Sequence, residues 1–392
     1  MDFKKLIDQY KSELLDNVLP FWLDYSQDKE YGGYFTCLDR DGSVFDTDKF
    51  IWLQGREVWM FAMMYNKVEK RQEWLDCAVQ GGEFLREYGH DGNYNWYFAL
   101  DREGNPLVQP YNIFSYTFAT MAFGQLYQAT KNEEYAAIAT KTFEIILSKV
   151  DNPKGQWSKA FPGSRSLKNF ALPMILCNLA LEIEHLLPEE YLAKLMDTCI
   201  HEVMDVFYRP ELGGIIIENV TVDGELSDTF DGRLVNPGHA IEAMWFIMDL
   251  GKRLKRNDLI EKAVEITLRM IEYGWDKEYG GIYYFMDRLS RPPQQLEWDQ
   301  KLWWVHIETL ISLLKGYNLT GSKECLAWFE KIHDYVWTHF KDEEYPEWFG
   351  YLNRRGEVLL TLKGGKWKGC FHVPRGLYQC WQTLEEIADK EK

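Results

Sequence analysis

One pattern returns six times along these 392 residues and leaves few folds open. Tyr31-Gly-Gly-Tyr-Phe-Thr-Cys-Leu-Asp-Arg-Asp-Gly42 is answered by Asn93-Tyr-Asn-Trp-Tyr-Phe-Ala-Leu-Asp-Arg-Glu-Gly104. Further copies are Gly213-Gly-Ile-Ile-Ile-Glu218, Tyr279-Gly-Gly-Ile-Tyr-Tyr-Phe-Met-Asp-Arg288 and Glu347-Trp-Phe-Gly-Tyr-Leu-Asn-Arg-Arg-Gly356, and a degenerate Lys154-Gly-Gln-Trp157 falls where one is due. Each copy predicts a short β-hairpin, a β-rich run closing on an Asp/Asn–Arg–x–Gly turn. Helical patterns flank every copy, with limits 3–24 and 51–66, 72–88 and 110–130, 133–149 and 166–186, 188–206 and 236–255, 257–273 and 300–317, 322–339 and 369–388. Within a pair the connection is long and carries the hairpin; between pairs it is short, as in Lys131-Asn-Glu133. Six antiparallel pairs with short returns predict an all-α fold, a closed (α/α)6 toroid spanning 1–392 as one domain. Alternate helices form the inner ring and the hairpins gather on one face. An open solenoid would call for polar capping repeats, and none is evident.

Composition narrows the partners. A net charge of −17 argues against nucleic acid or an anionic membrane surface as the main partner. Aromatics at 16%, with 16 Trp, suit stacking on sugar rings as well as a large core. Seven cysteines without a CxxC pair read as reduced, mostly buried thiols, and no apolar run approaches membrane length. The expectation is a soluble cytoplasmic protein.

In an antiparallel array the long connections all open on one end, so every inner helix starts there, where loop-borne function collects. Those starts bring Arg56, Asn112, His239 with Glu242, Trp304 with Glu308, and His372 with Arg375 to one mouth. His239 and Glu242, three apart, share a helix face, as do Trp304 and Glu308, four apart. His306 lies about 200° around the axis from Glu308, so only one of the two can face the cavity. Glu308 is assigned inward and His306 to the packing. Two histidines with carboxylate support and an arginine suggest proton traffic at a carbon beside a carbonyl: one imidazole removes a proton, the other returns one to the opposite face, and a guanidinium holds the oxyanion. A helix N-terminus disfavours imidazolium and keeps a base neutral.

The motifs Trp52-Leu-Gln-Gly-Arg56, Asn236-Pro-Gly-His-Ala-Ile-Glu-Ala-Met-Trp245, Lys301-Leu-Trp-Trp-Val-His-Ile-Glu308 and Cys370-Phe-His-Val-Pro-Arg375 together resemble the N-acylglucosamine 2-epimerase (renin-binding protein) family, in family order and over nearly the whole chain. The resemblance implies an (α/α)6 barrel and an isomerase interconverting N-acetyl-D-glucosamine and N-acetyl-D-mannosamine at C2 of the open-chain sugar. It implies His239 and His372 as the acid/base pair, Glu242 orienting His239, and Glu308 supporting the other histidine or assisting ring opening. Arg56 resembles the family arginine that holds substrate oxygens, with Asn112 and Trp304 as further binding candidates. Arg375 is a binding candidate with a structural salt bridge as its alternative. The resemblance also implies a homodimer, and no consumed cofactor; some members take ATP as an activator. The basic, glycine-containing Asn152–Arg165 segment is the candidate for ATP here, although it lacks the Gly-Lys-Ser/Thr end of a Walker loop.

Related enzymes on this fold act on cellobiose or mannose. A glycoside hydrolase on the same toroid needs two carboxylates astride a glycosidic bond, and 61 Asp and Glu supply candidates. Three histidines and two carboxylates, His239, His306 and His372 with Glu242 and Glu308, could alternatively furnish three or four metal ligands. A non-catalytic binding protein would leave both histidines without purpose.

Overall fold

The computed structural model describes residues 1–161 and 164–390. Among the described residues, thirteen α-helices form the two rings. The outer ring contains α1 (Phe3–Ser12) and α2 (Leu19–Tyr25), joined by a π-helical turn Glu13–Val18. Its other members are α4 (Gln72–Tyr88), α6 (Glu133–Ser148), α8 (Glu189–His201), α10 (Asn257–Gly274) and α12 (Lys323–His339). The inner ring is α3 (Ile51–Lys67), α5 (Ile113–Thr130), α7 (Ala171–Glu182), α9 (Pro237–Leu254), α11 (Trp303–Thr320) and α13 (His372–Lys390).

Most inner helices are buried around nearly their whole circumference, since each packs on outer helices and on its ring neighbours, while α13 keeps a polar face over Gln379, Gln382 and Glu386. In α9 every residue from Ala240 to Met248 is buried, and one hydrophobic core runs from Leu6 to Ile387. Two glycines let these helices approach closely. A Cβ on Gly55 of α3 would stand 2.8 Å from the Phe118 backbone of α5, and one on Gly376 of α13 would stand 2.1 Å from the Ile307 side chain of α11. The short returns stop one helix and start the next within a few residues. Lys131 takes a left-handed conformation and Asn132 accepts from Glu134 N–H; Gly321 and Ser322 repeat the device. No helix among the described residues is long and apolar enough to cross a membrane, and all seven cysteines are buried and free.

The twelve expected helical segments appear, with several boundaries moved: those expected to start at 110, 300 and 369 start at Ile113, Trp303 and His372. The segment expected to be helical from 166 begins at Ala171, because Leu167–Asn169 is a strand paired with Asn219–Thr221. The same stitch recurs around the ring: the residues leading into an inner helix pair with the next repeat's hairpin. Lys49–Phe50 pairs with Ala99–Leu100, Leu234–Val235 with Met286–Asp287, and Lys301–Leu302 with Tyr351–Leu352. The repeat copies are therefore not all self-contained hairpins. Met286–Asp287 pairs only across repeats, and Gly155–Trp157 in the degenerate copy is a 3-10 turn.

Buried ion triads lock this stitching. Asp28 accepts from Lys49 of its own repeat and from Arg102 of the next, at 3.0 Å each. Asp276, Lys301 and Arg354 reproduce the arrangement at 3.1 and 3.0 Å. The third triad closes the circle: Asp342 and Lys363 of the last repeat meet at 2.7 Å, and Arg40 of the first repeat forks onto Asp342 with two 2.7 Å bonds. The backbone N–H groups of Lys363 and Gly364 also donate to Leu38 O. Burial opposes the charge on Asp342, but Arg40 and Lys363 outweigh it and hold the carboxyl far below the usual range. Burial pulls Lys363 down to about 8. Removing one partner of such a pair strands the other charge in the protein. Asp342→Asn is expected to destabilise the barrel by about 3–5 kcal/mol in denaturant unfolding, whereas removing the exposed Arg71–Glu69 pair is expected to cost under about 1 kcal/mol. Equal costs would show that closure does not depend on the triad.

Candidate active site

All six inner helices start at the hairpin face. Asn236 Oδ1 accepts from His239 N–H at 3.1 Å, and Pro237 occupies the first helical position, so α9 begins by presenting His239 at the mouth. Gly238 leaves room beside it: a Cβ there would meet the Trp304 ring at 2.7 Å. Trp304, at the start of α11, consequently packs against both imidazoles, 5.3 Å from His239 and 5.8 Å from His372 between ring centroids. His372 is the first residue of α13.

The two histidines differ in how they are held. His372 Nδ1 bonds Glu308 Oε1 at 2.8 Å, and the other Glu308 oxygen accepts from Trp245 Nε1 at 2.9 Å. Arg375 Nη2 bonds the same Glu308 Oε1 at 2.6 Å and Glu242 Oε1 at 2.5 Å. Arg375 thus already neutralises much of the Glu308 charge, and Glu308 orients His372 without drawing a proton onto it. Burial, then the charge of Arg56, pushes His372 well below the ordinary histidine value, with Glu242 pulling the other way. His239 Nδ1 bonds both oxygens of Glu218, at 3.0 and 3.2 Å. Among the described residues Glu218 has no other cationic partner; Asn169 Nδ2 donates weakly to it at 3.4 Å. Burial works against protonation of His239, but the Glu218 charge and hydrogen bond outweigh it and raise the imidazole above its ordinary value. The ring Nε2 atoms of both histidines are free of hydrogen bonds to the described residues.

Arg56 is held by ring faces and by no ion pair among the described residues. Its guanidinium lies 4.3 Å from Trp52, 4.2 Å from Phe118 and 4.7 Å from Phe371, with Nε buried and unpartnered. Burial and the charge of Arg375 lower it to about 9. An unpaired guanidinium in such a pocket is a strong attractor for oxygen atoms that carry or acquire negative charge.

One expectation about this mouth requires correction. Glu242 does not orient His239: although they share a helix face, the Glu242 carboxylate turns to Arg375, and Glu218 supplies the support. Asn112 caps α5, its Oδ1 accepting from Phe114 N–H at 2.9 Å. Arg375 adopts the salt-bridge alternative, clamping two carboxylates. His306 faces away. Its Nε2 accepts from Ile282 N–H at 2.9 Å and Nδ1 donates to Leu302 O at 2.7 Å, while burial pushes it down to about 3. The polar atoms of Glu242, Glu308 and His372 lie within 4.8 Å of one another, a spacing that suits a metal, but Arg375 supplies the positive charge at that point.

Glu218 escaped sequence reasoning, yet it carried a signal. Its carbonyl accepts from Phe170 N–H, as the carbonyls of Phe98 and Gly350 accept from Ile51 and Trp303 N–H in their own repeats. A carboxylate stands where equivalent positions carry phenylalanine and glycine.

Residues 33–374 match the N-acylglucosamine 2-epimerase (GlcNAc 2-epimerase) family. An N-acylglucosamine 2-epimerase of Bos taurus is 41% identical over 389 residues, covering 96% of this chain and 90% of that protein. The Homo sapiens N-acylglucosamine 2-epimerase is 38% identical, covering 96% and 90%. Among solved structures, cellobiose 2-epimerase from Bacillus thermoamylovorans superposes with a TM-score of 0.83 at 21% identity, covering 97% of this chain and 99% of that one; this likeness concerns the (α/α)6 fold alone. By family match and by identity over almost its full length, the chain belongs to the N-acylglucosamine 2-epimerase family.

Proposed function

We propose that the protein is a sugar epimerase that interconverts N-acetyl-D-glucosamine and N-acetyl-D-mannosamine by moving a proton at C2 of the open-chain form. The observation that carries this reading is the pair of imidazoles packed against Trp304, their environments pushing them in opposite directions, with an unpaired guanidinium close by. The choice of N-acyl sugar is supported by identities of 38–41% to N-acylglucosamine 2-epimerases, against 22–24% to cellobiose 2-epimerases.

Opposed environments assign opposed roles. His372, kept neutral, takes the C2 proton through Nε2 in one direction. The bonding pair left on C2 delocalises into the aldehyde, forming a 2-acetamido enolate whose C1 oxygen charge Arg56 stabilises. His239, kept protonated by Glu218, returns a proton to the opposite face. In the reverse direction the imidazoles exchange roles. Glu308 and Glu218 hold the rings with Nε2 toward substrate, and Trp304 gives the sugar a flat wall. Each proton can exchange with water between turnovers, so C2 acquires solvent hydrogen.

An unconsumed nucleotide activator also belongs to this proposal. The 152–165 segment is its candidate site; residues 162 and 163 lie outside the described structure, and the described remainder is largely exposed. The seven free, buried thiols support a reducing, cytoplasmic setting.

Proton NMR of N-acetylmannosamine with the protein in D2O tests the reaction. Deuterium is expected at C2 of newly formed N-acetylglucosamine, faster with ATP and without ATP hydrolysis. His372→Asn and His239→Asn are each expected to lower the rate about 10²–10⁴-fold with unfolding midpoints retained. Near-normal turnover in both variants would remove the mechanism, and exchange only into cellobiose or mannose would move the substrate. Glu218→Gln tests the assignment of roles. A raised His239 loses its proton as pH rises through that raised value, so the alkaline limb of kcat belongs to His239. Removing the carboxylate lowers the His239 value and is expected to shift that limb to lower pH. An unmoved limb would detach Glu218 from proton transfer. The homodimer implied by the family resemblance is tested by sedimentation, where a single-chain mass of 46.4 kDa would overturn it.

A further inference from the structure

The end of the barrel opposite the mouth holds a cavity of about 520 Å³, lined by the C-terminal halves of inner helices and the turn that follows α7. Gln379, which lines it, follows His372 by seven residues on α13, so about 10 Å of helix separates it from the catalytic face. Its charged groups balance. Lys67, Lys252 and Arg253 face Glu182, Glu184 and Asp249. Arg253 is spent on Glu184, Asp249 on Lys315 from the neighbouring helix, and Lys252 on Glu386. Such a site exerts little net pull on an ion.

What remains free is hydrogen-bonding capacity. Asn178 is only 6% exposed and lines the cavity, and its side chain makes no hydrogen bond to the described residues, with Oδ1 fully buried and unpartnered. A buried amide oxygen without a donor is costly, and a ligand or ordered water must complete it. The side-chain amide of Gln379 likewise has no partner among the described residues, and Gln128 spends one N–H on His185. Amides that both donate and accept, in a charge-balanced cavity, suit hydroxyl groups.

Two indoles connect this cavity with the mouth. Trp245 lines the cavity and donates its N–H to Glu308, the carboxylate that orients His372. Trp59 runs the other way: its ring packs 5.3 Å from Phe371, beside His372 and Arg56, and its N–H donates to Glu182 of the cavity wall at 2.8 Å.

We propose that the far-end cavity is a second binding site, for a neutral polyhydroxylated ligand of monosaccharide size, coupled to the catalytic mouth through the indoles of Trp245 and Trp59. A ligand that bonds Asn178 and Glu182 repositions the two indoles and, through Trp245, the carboxylate behind His372. Rate as a function of sugar concentration then departs from a single hyperbola.

Titration calorimetry with N-acetylglucosamine tests this on the full chain carrying His372→Asn, in which binding is read without turnover. Two sugars per chain are expected, falling to one when Asn178→Ala is added; Gln128→Ala, at the half-exposed rim, is expected to weaken the same site without threatening the fold. In the otherwise unaltered enzyme, Asn178→Ala is expected to restore a single hyperbola. One sugar falling to none would keep the far-end site and remove the proposed function of the mouth. One sugar with or without Asn178→Ala, two in both, or none in either would overturn the inference.

Discussion

A ring of helical pairs is stable only as a ring, because an opened inner helix would expose an apolar face along its whole length. The Arg40–Asp342–Lys363 triad meets that constraint where the last repeat returns to the first. It uses the same three residue types, in the same places, as the Asp28 and Asp276 triads inside the chain. The Asp28 and Asp276 triads lie beside the strands Lys49–Phe50 and Lys301–Leu302 that lead into α3 and α11, so there the contact that joins neighbouring repeats also sets where the helix begins. The candidate site residues Trp304 and Glu308, in the first two turns of α11, take their positions from that start.

Within the mouth, chemistry depends on an asymmetry between two similar histidine–carboxylate pairs. Glu308 shares its charge with Arg375 and an indole; Glu218 shares its charge with one imidazole and a distant amide. The same acid type therefore has opposite consequences for the base it touches. Arg375 is what distinguishes them, and its clamp on Glu242 withdraws the acid nearest in sequence to His239.

Much of this architecture was legible in the residues. The helix pairs, the shared mouth, the inward Glu308 and the outward His306 follow from period and topology, because an inner helix admits one cavity-facing stripe. What stayed hidden lies between repeats. Strands of two or three residues such as Lys49–Phe50 are too short for an alternating pattern to register, and Leu167–Asn169 read as the start of a helix. The Glu218–His239 pair joins a loop to a helix start 21 residues away, whereas helical spacing proposed only Glu242. Asn112 shows the converse: its place at a helix start follows from the pattern, and there its oxygen caps α5.

The inner helices run in one direction and the outer helices in the other. Six aligned peptide dipoles direct their positive ends at the mouth, while the six opposing outer ones cancel them a short distance away. The resulting field is confined to the axis. A chain with a net charge of −17 can therefore favour an oxyanion inside the ring while showing no such preference to the solution. An uncharged sugar would enter without steering and meet the field only once its own chemistry has made it an anion.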